Sequence, residues 1–179
     1  MFRDDIESVL LSKEQIQQKV RDLGAQITKD YAGKEVVLTC ILRGSFIFSA
    51  DLAREIQLPM TVEFISASSY KNGTKTSGNV KIRQDFEMDI SGKHVLLVED
   101  IMDTGLTLSR LKQMLSLRNP ASLKIVTLLD KPERRRVDIT PDYYGFEIPD
   151  KFVVGYGLDY NDHYRNLPEV CVLKEEMYK

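Results

Sequence analysis

Long hydrophobic runs are missing from this 179-residue sequence. No apolar stretch approaches the roughly 18 to 20 residues of a membrane-spanning helix, so no membrane partner is expected. No secretory leader is expected either: the opening MFRDDIESVLLSKEQ carries acids where a signal peptide would carry bases, and it lacks a long apolar core. Cysteine is scarce. Cys40 and Cys171 each lie inside an apolar run and read as reduced core residues rather than as a disulfide, a metal site or a reactive thiol. An excess of charge of either sign is also absent: 25 Lys and Arg stand against 27 Asp and Glu, a net charge of −2. Nothing global draws the chain to nucleic acid or to an anionic membrane surface. There is no internal repeat, low-complexity tract or dividing linker. The expectation is a cytoplasmic protein with a single domain over residues 1–179, long enough for one substantial core.

What is present is a regular alternation. Ser12 and Gln15 form a capping-box pattern, Ile16, Val20, Leu23 and Ile27 recur at helical spacing, and Gly33 is placed to stop that helix. EVVLTCIL (35–42) is apolar and β-branched, a buried strand; GSFIFSADLAREIQ (44–57) reads as a helix and MTVEFISAS (60–68) as a strand. The polar SSYKNGTKTSGNVKIRQD (68–85), rich in glycine and asparagine turn signals, reads as a mobile loop or hairpin. HVLLVED (94–100) is a strand, Thr104 to Arg118 a helix stopped by Asn119-Pro120, and LKIVTLLDK (123–131) a strand. KFVVGYGLDY (151–160) and EVCVLKEE (169–176) complete the series. Apolar strands alternating with helices predict an α/β fold whose parallel sheet is covered on both faces. In such sheets ligands bind beyond the carboxyl ends of the strands.

One of those ends is crowded with acid. In HVLLVEDIMDTGLTLSRL (94–111) the apolar run Val95 to Val98 opens onto Glu99, Asp100 and Asp103, followed by Thr104, Gly105 and Thr107. Carboxylates this close raise one another's pKa and need a cation or hydrogen-bond donors to stay ionised. The second half of the segment begins a helix, where unpaired N–H groups and the positive dipole end favour an anion. Gly105 lets the backbone approach closely and the two threonines add donors, which makes a phosphate cradle. Glu99 and Asp100 can accept hydrogen bonds from sugar hydroxyls, or hold Mg²⁺ through water. A ligand with vicinal hydroxyls beside a 5′-phosphate would satisfy both halves. A plain helix N-cap would account for Asp103 and Thr104 but not for the whole run.

This segment resembles the phosphoribosyl-pyrophosphate signature of the type I phosphoribosyltransferases, and nearly the whole chain resembles the hypoxanthine-guanine phosphoribosyltransferases among them. ILRGS (41–45) is similar to the family's pyrophosphate loop, in which the peptide bond after the leucine is often cis; Arg43 stands where many relatives have lysine, which keeps the charge. SSYKNGTK is similar to the flexible lid, LLDK (128–131) to the strand end that supplies the purine-reading lysine, and PDKFVVGYGLDYNDHYRNL (149–167) to the base-stacking and metal segment. The fold implied is the type I phosphoribosyltransferase fold: a twisted parallel sheet flanked by helices, with a small hood built from the terminal segments.

The resemblance also implies roles. Glu99, Asp100, Asp103, Thr104, Gly105 and Thr107 would bind ribose and 5′-phosphate, with Asp103 handling the proton at N7 of the purine. Leu42, Arg43, Gly44 and Arg165 would bind pyrophosphate, a task that suits the arginine fork. Lys131, Phe152, Val153 and Asp159 would hold the purine; Glu99, Asp100 and Asp159 would hold Mg²⁺; Ser69 and Tyr70 would form a lid that excludes water. By position alone, Lys131 is a solvated lysine and Phe152 a core ring. KPERRR (131–136), which could suggest nucleic acid, reads with the acidic residues after it as a solvated turn or subunit contact. The implied substrates are 5-phosphoribosyl 1-pyrophosphate with hypoxanthine or guanine, and the implied assembly is a homodimer or homotetramer. The rival is a regulatory nucleotide-sensing protein that binds nucleic acid, but it would need a basic face or an added helical domain.

Overall fold

A computed structural model of the chain describes residues 2–72 and 75–179, with side chains described except at residue 2 and residues 68–80. The strands are β1 (Ile6–Leu11), β2 (Val36–Leu42), β3 (Met60–Asn72), β4 (Lys75–Gln84), β5 (His94–Met102), β6 (Ser122–Asp130), β7 (Tyr143–Glu147), β8 (Val153–Val154) and β9 (Val170–Leu173). The helices are α1 (Lys13–Asp30), α2 (Phe46–Glu55) and α3 (Leu106–Ser116). None is long and apolar enough to cross a membrane.

The six-stranded sheet has the order β4-β3-β2-β5-β6-β7. All its pairings are parallel except β3 with β4. The polar stretch after residue 68 is therefore resolved in favour of a hairpin, and it adds an antiparallel edge strand. Pleating sends alternate side chains of the central strands to opposite faces. Val36, Leu38, Leu96 and Val98 pack with Ile16, Val20, Leu23 and Ile27 of α1 and with Phe48 and Leu52 of α2. Val37, Ile41, Val95 and Leu97 pack with Leu108, Leu111 and Leu115 of α3. Two apolar faces are buried this way, as continuous runs of apolar residues in parallel strands require. The α1 capping box is complete: Ser12 Oγ accepts from the Gln15 amide at 3.3 Å, and the Gln15 side chain accepts from the Ser12 amide at 2.8 Å.

The terminal segments build the expected hood: residues 6–11 form a strand, β1, which pairs antiparallel with β9, and β9 in turn pairs with β8. Two further segments depart from the sequence reading. Residues 143–147, within the acidic stretch after KPERRR and assigned no element, form β7 on the edge of the main sheet. Residues 151–160, read as one strand, contribute only Val153–Val154. Past Val154 the backbone turns left-handed at Gly155 (φ 96°), Tyr156 (φ 50°) and Gly157 (φ 102°), which reverses the chain. Apolar composition suggested a strand there, but the two glycines decide the backbone. Both cysteines are free and buried, as read.

Candidate active site

The carboxyl ends of β2, β5 and β6 face the hood, and the predicted residues gather there. Leu42 closes β2 and joins Arg43 through a cis peptide bond. Gly44 follows, and a Cβ at this position would meet the Asp100 carboxylate, so the loop lies directly against the Asp100 side chain near the end of β5. A Cβ on Gly157 would likewise meet the Gly44 carbonyl, so the 155–157 turn packs directly onto this loop.

Glu99, half-buried, and Asp100, buried, lie within β5 toward its carboxyl end. Burial pushes both carboxyls above the usual carboxylate range, and the Asp100 charge pushes Glu99 up further. After β5 the chain passes through Asp103, Thr104 and Gly105 (φ 78°) into α3. Thr104 Oγ1 accepts from the Leu106 amide at 3.4 Å, which sets the entry to the helix. A cavity of about 200 Å³ sits over this turn, lined by Glu99, Asp100, Asp103, Thr104, Gly105 and Thr107 among others. The whole predicted cradle therefore lines one space.

A second cavity, of about 400 Å³, adjoins it and shares Ile101 and Asp103. Its wall includes Lys131, Phe152 and Val153, three of the four residues predicted to hold the purine. Asp103 thus stands between the anion cradle and the base-sized space. Lys131 is buried, contrary to the positional expectation of a solvated lysine; its Nζ donates to the Lys151 carbonyl at 2.5 Å and lies 3.7 Å from Asp150. Burial pushes its pKa down, while the carboxylates of Asp103 and Asp150 oppose that shift. Phe152 is 36% exposed, so it is a ring at a cavity wall rather than a core ring. It stacks on Tyr178, with centroids 4.7 Å apart, and meets Tyr160 edge-on.

The fourth purine residue, Asp159, directly follows Leu158, which lines the same cavity. Its carboxylate is 2.8 Å from Arg165, whose other nitrogen donates to the Gly157 carbonyl at 2.6 Å. Among the described residues no three acidic, histidine or cysteine side chains converge on a point that could hold a cation. The predicted metal set of Glu99, Asp100 and Asp159 is therefore not assembled as a cage: two members are adjacent and the third is committed to an arginine. Arg43 and Arg165, the two arginines expected at the pyrophosphate, come together by sharing Asp162, at 3.2 Å and 3.5 Å. The backbones of Ser69 and Tyr70 run in β3, with Ser69 paired to Val80, but their side chains lie outside the described residues.

Four contributors were not singled out in the sequence: Arg134, Asp150, Asp162 and Tyr178. The 131–136 stretch is not simply a solvated turn. Arg135 pairs with Asp130 and donates to the carbonyls of Met102 (3.3 Å) and Asp103 (2.7 Å), bracing the end of β5. Arg134 reaches Asp103. Charge density alone suggested solvent; the one usable signal was that these arginines come a few residues after Lys131, which the resemblance assigns to the purine.

A family profile described as the phosphoribosyl transferase domain matches residues 8–161. The chain belongs to that family. The hypoxanthine-guanine phosphoribosyltransferase of Streptococcus pneumoniae is 53% identical over 178 residues, covering 99% of each chain. That of Bacillus subtilis is 48% identical over 179 residues, covering 100% of this chain and 99% of the relative. A crystal structure of a hypoxanthine phosphoribosyltransferase from Staphylococcus aureus superposes with a TM-score of 0.97 at 48% identity, over 99% of this chain and 97% of that one. The mixed, mostly parallel sheet and hood are thus a known phosphoribosyltransferase architecture.

Proposed function

We infer that this chain transfers the phosphoribosyl group from 5-phosphoribosyl 1-pyrophosphate to hypoxanthine or guanine, giving IMP or GMP and pyrophosphate, as a pentosyltransferase of purine salvage. The observation that carries this reading is the pair of adjoining cavities with Asp103 between them: one offers an anion cradle at a helix N-terminus, the other a buried lysine and an exposed aromatic wall. The relatives' names support it, and no observation favours a nucleic-acid-binding regulator.

In the reaction, N9 of the purine forms a bond to the anomeric carbon as the bond to pyrophosphate breaks. Asp103 takes up the proton at N7, Lys131 donates to the 6-oxo group, and Phe152 lies against the ring. Thr104, Gly105 and Thr107 hold the 5′-phosphate, while Arg43 and Arg165 release Asp162 to bind pyrophosphate oxygens. The lid around Ser69 and Tyr70 excludes water during transfer. Mg²⁺ fits this site through Glu99 and Asp100, two crowded carboxylates whose burial disfavours their charge, together with substrate oxygens and water; that donor set is ordinary for Mg²⁺. When bound, Mg²⁺ offsets the charge of the departing pyrophosphate. The test is pyrophosphate release: it should require both the activated sugar and a 6-oxopurine, and release from the sugar alone at the same rate would overturn the reading.

A further inference from the structure

Four charged side chains form an alternating chain along the base-sized cavity. Asp103 Oδ1 lies 2.7 Å from Arg134 Nε. Arg134 Nη1 donates to both Asp150 oxygens, at 3.3 and 3.4 Å, and Asp150 lies 3.7 Å from Lys131 Nζ. The members come from three segments: Asp103 follows β5, Lys131 and Arg134 follow β6, and Asp150 precedes β8. All four line the cavity. Lys131 makes its ion pair with Asp150, although the nearby Asp103 charge acts on it as well.

Folding stability does not account for the arrangement. Arg134, Asp150 and Asp103 are each 41 to 45% exposed, and ion pairs that wet contribute little. The contact with Asp103 is also poorly aligned: its covered Oδ1 accepts no hydrogen bond, although the guanidinium is at hydrogen-bonding distance. Location does account for it. Asp103 and Lys131 carry opposite charges on one cavity; apart from the Lys151 carbonyl, which accepts from Lys131 Nζ, what holds them apart is the Arg134–Asp150 bridge. Arg134 holds the acid, and Asp150 holds the lysine. Between the two, a proton acceptor and a proton donor remain side by side and apart, as the N7 and 6-oxo edge of a purine requires.

We propose that Arg134, bridged to Asp150, is a positioning residue for the base site that keeps Asp103 and Lys131 from pairing directly and so preserves the slot for the purine edge. The inference rests on the reading of Asp103 and Lys131 given above. It places Arg134 behind the reacting groups, acting through Asp103.

The experiment is a kinetic cycle on the full-length protein with hypoxanthine and the activated sugar. Arg134→Ala should lower kcat/KM for hypoxanthine about tenfold or more, the scale of a misplaced reacting group. KM for the activated sugar should change less than kcat/KM for hypoxanthine does, because Thr104, Gly105 and Thr107 line the cradle and Arg134 lines the other cavity. Arg134→Lys, which keeps a charge beside Asp103, should recover a large part of the loss. In an Asp103→Asn background, which has no charge left to collapse onto Lys131, Arg134→Ala should add no more than about twofold, the mark of two residues acting as one unit. A full second loss in that background, or an Arg134→Ala enzyme as fast as the parent, overturns the bridge while leaving the assigned reaction intact. An Asp103→Asn enzyme with unchanged turnover overturns the role of Asp103, and the inference with it.

Discussion

Lys131 shows how one residue's environment sets its chemistry. Its Nζ is buried and offers donors only, one of them already used on the Lys151 carbonyl. A 6-oxo group can accept from it. The 6-amino group of adenine cannot, and a buried donor facing another donor costs on the order of 1–3 kcal/mol, more when charged. Sites built on such a bond discriminate by roughly 10⁴ or more. Negligible transfer to adenine is therefore expected, and Lys131→Ala should depress the rate with hypoxanthine and narrow the hypoxanthine-to-adenine ratio of kcat/KM. A ratio that survives the substitution would move selectivity to the backbone around Val153. Asp103 is the second residue-scale case. Asp103→Asn should keep the fold and sugar binding yet lower turnover by about a hundredfold, the usual worth of a placed acid or base. Turnover within a few-fold of the parent would remove it from the proton transfer.

At the scale of elements, the entry to α3 depends on one left-handed residue. Gly105 sits at φ 78°, and a Cβ there would lie 2.6 Å from Ile139 Cγ2 and 3.0 Å from Arg135 Cδ. Left-handed backbone costs a side-chain-bearing residue about 1–2 kcal/mol before that crowding is added. Gly105→Ala should lower the melting temperature and raise KM for the activated sugar, because the turn that shapes the cradle must shift. An unchanged KM would show that the turn is not part of the sugar site. The start of α1 offers a control remote from chemistry. Ser12→Ala removes the capping box and should cost about 1 kcal/mol in urea unfolding, with kcat unaffected. Helical spacing and the capping box made α1 readable, and the Asn119-Pro120 stop marked the end of α3. The edges were harder: β7 pairs on one side only and is short, and the sequence reading gave it no element. The 151–160 run was misread because apolar composition says nothing about φ, whereas Gly155 and Gly157 decide it.

For the whole molecule, the site is a seam between the main sheet and the hood. Leu42 to Gly44, Asp103 and Lys131 come from the sheet side, while Val153 comes from the hood and Phe152 directly precedes it. A ligand that spans the seam should stabilise the entire chain. The activated sugar with Mg²⁺ at about a hundred times its Kd should add about 2.7 kcal/mol, and a chain of this size gains roughly 2–4 °C in Tm per kcal/mol. With chelator in place of Mg²⁺ most of that shift should disappear, and so should activity, returning when Mg²⁺ is restored. A full thermal shift and full turnover in excess chelator would exclude the metal from the account.

The acidic run, the threonine-glycine turn and the buried strand before them were all legible in residues 94–111, because each depends on neighbours within one strand-turn-helix unit. So were the alternation of elements and the two-faced sheet, since pleat and helix periods are local properties of the chain. What tertiary structure alone decided was partnership. Whether Lys131 is solvated or buried, whether Asp159 meets Glu99 or Arg165, and whether Arg134 faces water or Asp103 all depend on segments far apart in the chain meeting across the seam. A charge carries no local mark of its partner, and its chemistry is set by whichever opposite charge and dielectric the fold brings to it.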